Sequence, residues 1–157
     1  MVLILDIKNI NRKDKKTRGI KDNKITKKRS TQLKKNLKGL QTNYLGKNFY
    51  FFDNIDSTQT EIWRRIDNKK IKNGTIIMAD IQTKGKGTKG RAWYGGEYEN
   101  ICGTFVLTPN CNIKQIENLT ILIAQCLVKT IKDLYDIKLD IKYPNDVMCN
   151  RKKVSGI

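Results

Sequence analysis

The chain has 157 residues, a formal net charge of +17 and no histidine. That length holds one ordinary domain. Its four cysteines (Cys102, Cys111, Cys126 and Cys149) form no CxxC pair, which with the lack of histidine argues against a zinc site.

The charge is uneven. Residues 1–48 carry 15 of the 32 basic residues against three aspartates. Residues 1–43 are therefore expected to be a basic, flexible arm, with a short helix over 30–40 marked by Leu33, Leu37 and Leu40. Such an arm suits a polyanion or is a solvated leader. It has no aromatic residue before Tyr44 to stack on a base. Met1–Leu5 is too short for the apolar core of a secretory signal, and no apolar run reaches membrane-spanning length. With unpaired cysteines, the expected location is cytoplasmic.

The folded unit is expected to begin near Tyr44. Asn48–Ile55 (NFYFFDNI) is dense in aromatics and reads as a strand. Thr58 followed three residues later by Glu61 has the pattern of a capping box. A helix is expected from Thr58 to Asp67, with Ile62, Trp63 and Ile66 inward. After the Asn73-Gly74 turn, a strand over 74–81 runs into Gln82–Trp93, QTKGKGTKGRAW. Three glycines among four cations there make a loop suited to an anion, because exposed amides can line a concave site. A plain basic surface loop has the same composition.

Asn100–Leu107 reads as a further strand. Apolar residues three or four apart from Ile116 to Leu134 predict one long amphipathic helix over 114–135. Ile137–Tyr143 alternates apolar and charged residues, as a half-exposed strand does. Pro144-Asn145-Asp146 breaks it, and short strands follow at Val147–Cys149 and towards Ile157. Strands and helices in this order predict an α+β fold, a mixed β-sheet flanked by helices.

Three islands fall at strand ends, where sheet proteins gather ligands. They are Asp56-Ser57-Thr58-Gln59, Gln82–Trp93 and Lys142-Tyr143-Pro144-Asn145-Asp146. At these residues the chain resembles the biotin protein ligase family over about 48–157. Lys153-Val154-Ser155-Gly156-Ile157 is similar to the family's next strand. The resemblance implies a class II aminoacyl-tRNA synthetase-like catalytic fold over 44–157. It also implies that C-terminal strands and a small β-barrel of the family lie outside this sequence.

The implied activity is ATP-dependent. Biotin's carboxylate attacks the α-phosphate of ATP, and a lysine of a biotin carboxyl carrier domain then takes the biotinyl group from biotinyl-5′-AMP. ATP with Mg²⁺, biotin and the carrier domain are the implied ligands, and a homodimer is a further expectation. Lys142 and Arg91 become candidate catalytic cations. Ser57, Thr58, Gln59, Gln82, Lys86, Gly87, Thr88 and Lys142 become candidate biotin ligands. Gly85, Lys86, Gly87, Thr88, Arg91, Trp93 and Asn145 become candidate adenylate ligands. Asn145 and Asp146 read either as partners of Lys142 or Mg²⁺, or as turn residues.

The chain departs from the family pattern at Gln59, where Asn is usual, and at Tyr143, where Trp is usual. Lys86 replaces an arginine fork with a point charge, and Thr88 stands where Arg is common. Three other readings stay open on residues alone: an inactive or split fragment of such a ligase, a lipoate ligase or octanoyltransferase of the same fold, and a polyanion binder acting through the arm. The glycine loop is expected to act as a flap that orders over ligand.

Overall fold

A computed structural model of the chain describes residues 2–6, 31–33, 35–36, 39, 41–96 and 100–157. Most of the basic arm, including parts of the helix expected over 30–40, lies outside the described residues.

Among the described residues, nine strands form two sheets. They are β1 (Val2–Asp6), β2 (Phe49–Ile55), β3 (Ile76–Gln82), β4 (Gly85–Lys86), β5 (Ala92–Trp93), β6 (Asn100–Phe105), β7 (Asp140–Lys142), β8 (Asp146–Cys149) and β9 (Lys152–Gly156). The main sheet is mixed and seven-stranded, in the order β2-β3-β6-β1-β9-β8-β7. β2 and β3 are parallel, joined through the Thr58–Asp67 helix. The other neighbours are antiparallel. β4 and β5 make a separate two-stranded ribbon.

Two apolar cores serve the two halves of the sheet. Ile62 of the Thr58–Asp67 helix packs with Ile77 and Val106, flanked by Tyr50, Phe52 and Ile71. At the other end, Ala124 and Ile131 of the Leu119–Tyr135 helix pack with Leu139, Val147, Cys149 and Val154. Ile77, Val147 and Val154 are fully buried, and each such side chain contributes about 1.5–3 kcal/mol. Among the described residues, no helix is long and apolar enough to cross a membrane.

β1 joins these halves. Leu5 pairs with Ile101 on one side and Ser155 on the other. Val2–Asp6 was expected to belong to the flexible arm, and here it is an interior strand.

Other differences are local. The helix expected over 114–135 is two segments. Ile113–Ile116 is a 3₁₀ turn capped by Asn112, whose side chain and that of Gln115 form a reciprocal capping box. The α-helix then runs from Leu119 to Tyr135. The Thr58–Asp67 helix has the expected bounds, but Ser57 is its cap and its oxygen accepts from Thr60 N–H. Glu61 instead pairs with Arg64 and Arg65. Trp63 and Ile66, expected inward, are 59% and 37% exposed.

Candidate functional site

The Ser57 and Thr58 island begins where β2 ends. Ser57 is extended (φ −161°) and caps the helix, and both side chains are buried. Thr58 donates from its backbone N–H and from Oγ1 to Gln82 Oε1, at 2.8 and 3.0 Å. Thr104 Oγ1 donates to Thr58 Oγ1 at 2.9 Å. A buried polar chain therefore runs from β6 through the helix start to the end of β3. Each hydroxyl finds a partner, which a buried hydroxyl needs to offset its lost hydration.

Gln82 is also bonded to the Cys102 thiol. Burial pushes that thiol up to about 11, against the opposing effect of the Gln82 bond. Cys102 is thus a neutral packing group rather than a nucleophile. Before the helix, Arg64 grips Asp56 with both terminal nitrogens, at 3.0 and 2.5 Å. That guanidinium holds the Asp56 carboxyl below the usual carboxylate range, with the Ser57 N–H adding a further bond.

The glycine loop leaves β3 beside these groups. Thr83 and Lys84 donate backbone N–H groups to the carbonyls of Ile55 and Asp56, at 2.9 and 2.7 Å. The chain then folds back as the β4–β5 ribbon, with Gly85 opposite Trp93 and Lys86 opposite Ala92. A Cβ at Gly85 would lie 2.6 Å from the Trp93 carbonyl oxygen, so only glycine lets the two strands approach this closely. The ribbon turns through Thr88–Gly90, and Gly87 N–H closes it on the Arg91 carbonyl at 2.7 Å.

A cavity of about 340 Å³ opens beside the ribbon. Gln59, Lys86, Gly87, Thr88, Trp93 and Asn145 contribute to its wall. All three sequence islands therefore meet at one cavity. The size suits part of a small ligand, and Lys86 supplies positive charge. Ser57, Thr58, Gln82, Gly85, Arg91 and Lys142 do not line it. The first four are buried or half-buried. Arg91 is exposed on the ribbon, and Lys142 is exposed at the end of β7, opposite Asp146 in register.

Six further residues complete the wall. Ile116, Leu119 and Thr120 come from the 3₁₀ turn and the start of the long helix, and Lys153, Gly156 and Ile157 come from β9 and its end. Ile116 and Leu119 were read only as core positions of a helix, and Thr120 was given no role. The break announced by Asn112 and Asn118 is the signal that places a helix start there. The Lys153–Ile157 segment was matched to the family without roles for its side chains. Asp146 pairs with Lys153 at 2.5 Å. No group of three or more carboxylate or cysteine side chains suited to a metal occurs among the described residues.

Comparison with known proteins places this geometry in a family. The Biotin/lipoate A/B protein ligase family model matches residues 51–157. The bifunctional ligase/repressor BirA of Bacillus subtilis is 34% identical over 119 residues, which cover 76% of this chain and 36% of BirA. Its Escherichia coli counterpart is 26% identical over 103 residues. The chain thus spans about a third of the length of these relatives. Among solved structures, the Aquifex aeolicus biotin protein ligase in complex with biotin and ATP superposes with a TM-score of 0.56 at 33% identity. The match covers 70% of this chain and 45% of that one. The Helicobacter pylori biotin acetyl coenzyme A carboxylase synthetase, at 24% identity and the same TM-score, shares the fold. The mixed sheet, the helix placement and the matched span agree: this chain belongs to the biotin/lipoate A/B protein ligase family.

Proposed function

We propose that this chain carries the biotin- and ATP-binding part of a ligase that joins biotin to a lysine of a carrier domain. The observation that carries the reading is the meeting of Gln59, Lys86, Gly87, Thr88, Trp93 and Asn145 at one cavity.

The first step would form a bond from a biotin carboxylate oxygen to the α-phosphorus of ATP, and the bond to pyrophosphate would break. Two anions must approach, so cations have to offset their charge in a site that excludes water. Lys86 is the loop's cation at the cavity, and Lys142 and Arg91, exposed outside its wall, are the further cations of the reading. Mg²⁺ would enter with the triphosphate, held chiefly by phosphate oxygens and water, and Asp146 is the carboxylate the β7–β8 hairpin offers. In the second step the carrier amine would attack the activated carbonyl, and AMP would leave with the electron pair of the broken bond. Gln82 would orient the biotin head group. Thr58 already occupies its Oε1 and Cys102 engages its amide N–H, so one of the two amide N–H groups is left to donate.

The test separates binding from transfer. Calorimetry with biotin and with ATP should show binding of each to the chain. Labelled biotin should pass to a carrier domain only when ATP and Mg²⁺ are present, with lipoate unable to replace it. Lys86→Met and Lys142→Met should each lower transfer about a hundredfold. An absence of biotin binding by a cooperatively folding chain would refute the proposal.

A further inference from the structure

Lys153 lies on the cavity wall with a role that nothing in the three islands assigns. Its ammonium pairs with Asp146 Oδ1 at 2.5 Å and lies 5.0 Å from the centre of the Trp93 ring. The same ring fits a notch left by the missing side chain at Gly156. A Cβ there would meet Trp93 Cζ3 at 3.2 Å and Lys153 Nζ at 3.3 Å. Trp93 Nε1 is buried, and no acceptor among the described residues reaches it. Trp93 belongs to the ribbon, whereas Lys153, Gly156 and Asp146 belong to the β8–β9 hairpin. These contacts tie the glycine loop to the main sheet.

We propose that Lys153 is a positioning residue: its ammonium, anchored by Asp146, clamps the Trp93 ring into the Gly156 notch and so fixes the ribbon wall of the cavity. A cation over an indole face is attracted by the ring's electron density. The Asp146 carboxylate keeps the flexible lysine stem in that place. With the ring held, the indole N–H is a fixed, unspent donor. That N–H has no open surface while the ring is clamped, so the clamp would act on a bound nucleotide through the placed ring and ribbon wall. This link to ligand rests on the proposed function above. The clamp itself does not.

The chain has two tryptophans, and Trp63 is largely exposed. In a Trp63→Phe background, emission therefore reports Trp93 alone. Lys153→Met should shift that emission to longer wavelength and raise its quenching by acrylamide, with cooperative unfolding retained. Lys153→Arg, which keeps a cation over the ring, should restore both values. Gly156→Ala, which fills the notch, should mimic the methionine variant. ATP affinity should fall about three- to tenfold in Lys153→Met and recover in Lys153→Arg, while biotin affinity changes less than twofold.

Unchanged emission and quenching in both Lys153→Met and Gly156→Ala would overturn the clamp. Equal losses for biotin and ATP, or no rescue by arginine, would overturn its role in nucleotide binding. If the Trp63→Phe protein binds neither ligand, the proposed function falls with the nucleotide role, and the quenching comparison still decides the clamp.

Discussion

Thr58 directs both of its donors to one atom, Gln82 Oε1, at 2.8 and 3.0 Å. This joins the start of a helix to the end of the strand that feeds the glycine loop. The helix start and the root of the loop are therefore held to one another. Thr104, one strand further in, fixes the pair from below.

Thr58→Val keeps the shape of the side chain and removes its hydroxyl. Thr104 Oγ1 loses its acceptor, and Gln82 loses one of two donors. The expected cost is about 1–3 kcal/mol, read as a lower urea midpoint at unchanged slope. A midpoint equal to the parent's would show that the buried chain adds nothing to stability.

Gly85→Ala should force the ribbon apart, because its Cβ would meet the Trp93 carbonyl oxygen at 2.6 Å. A loss of about 1–3 kcal/mol is expected for such crowding. Limited proteolysis should cut the variant faster between 83 and 93, while cleavage elsewhere stays as in the parent.

Thiol labelling should divide the cysteines two and two. Cys111 and Cys126 are exposed, and Cys102 and Cys149 are buried. At pH 8 Cys102 is also almost wholly protonated, since burial pushes it up to about 11. Mass spectra after iodoacetamide should show two adducts on the native protein and four after unfolding. A native adduct on Cys102 would contradict its packing.

The Arg64–Asp56 pair makes stability depend on acid. Asp56 is held below the usual carboxylate range in the fold. Its contribution is therefore complete above about pH 4, where the unfolded chain is also ionised, and is lost as pH falls through the lowered value. Half of the Arg64 side chain is exposed, so the effect is small and weakens with salt. Melting temperatures of the parent and Arg64→Met should differ at pH 6 and converge towards pH 2. A constant difference across that range would assign the effect to packing.

Local patterns carried much of the fold. The aromatic run at 49–52, the alternation up to Lys142 and the polar opening of the Thr58–Asp67 helix each specify an element without outside help. Trp63 was misplaced because a ten-residue helix has a narrow buried stripe, and Ile62 alone fills it deeply. Lys153 was given no role because a lysine beside another lysine on an edge-like segment looks solvated. Its place is set by a tryptophan sixty residues earlier, which no local pattern reveals. β1 was missed for the same reason: VLILD is a short apolar run whose partners lie near residues 100 and 155.

β1 has a consequence for the order of events during synthesis. It is translated early, yet it hydrogen-bonds between β6 and β9, and β9 emerges from the ribosome long after it. It can pair with β6 once residues 100–105 are made, but its β9 side stays open until the last strand arrives. Closing the sheet then depends on the most distant segments of the chain finding each other, a slow step for any topology. A bulky fusion placed directly ahead of Val2 would burden that closing step.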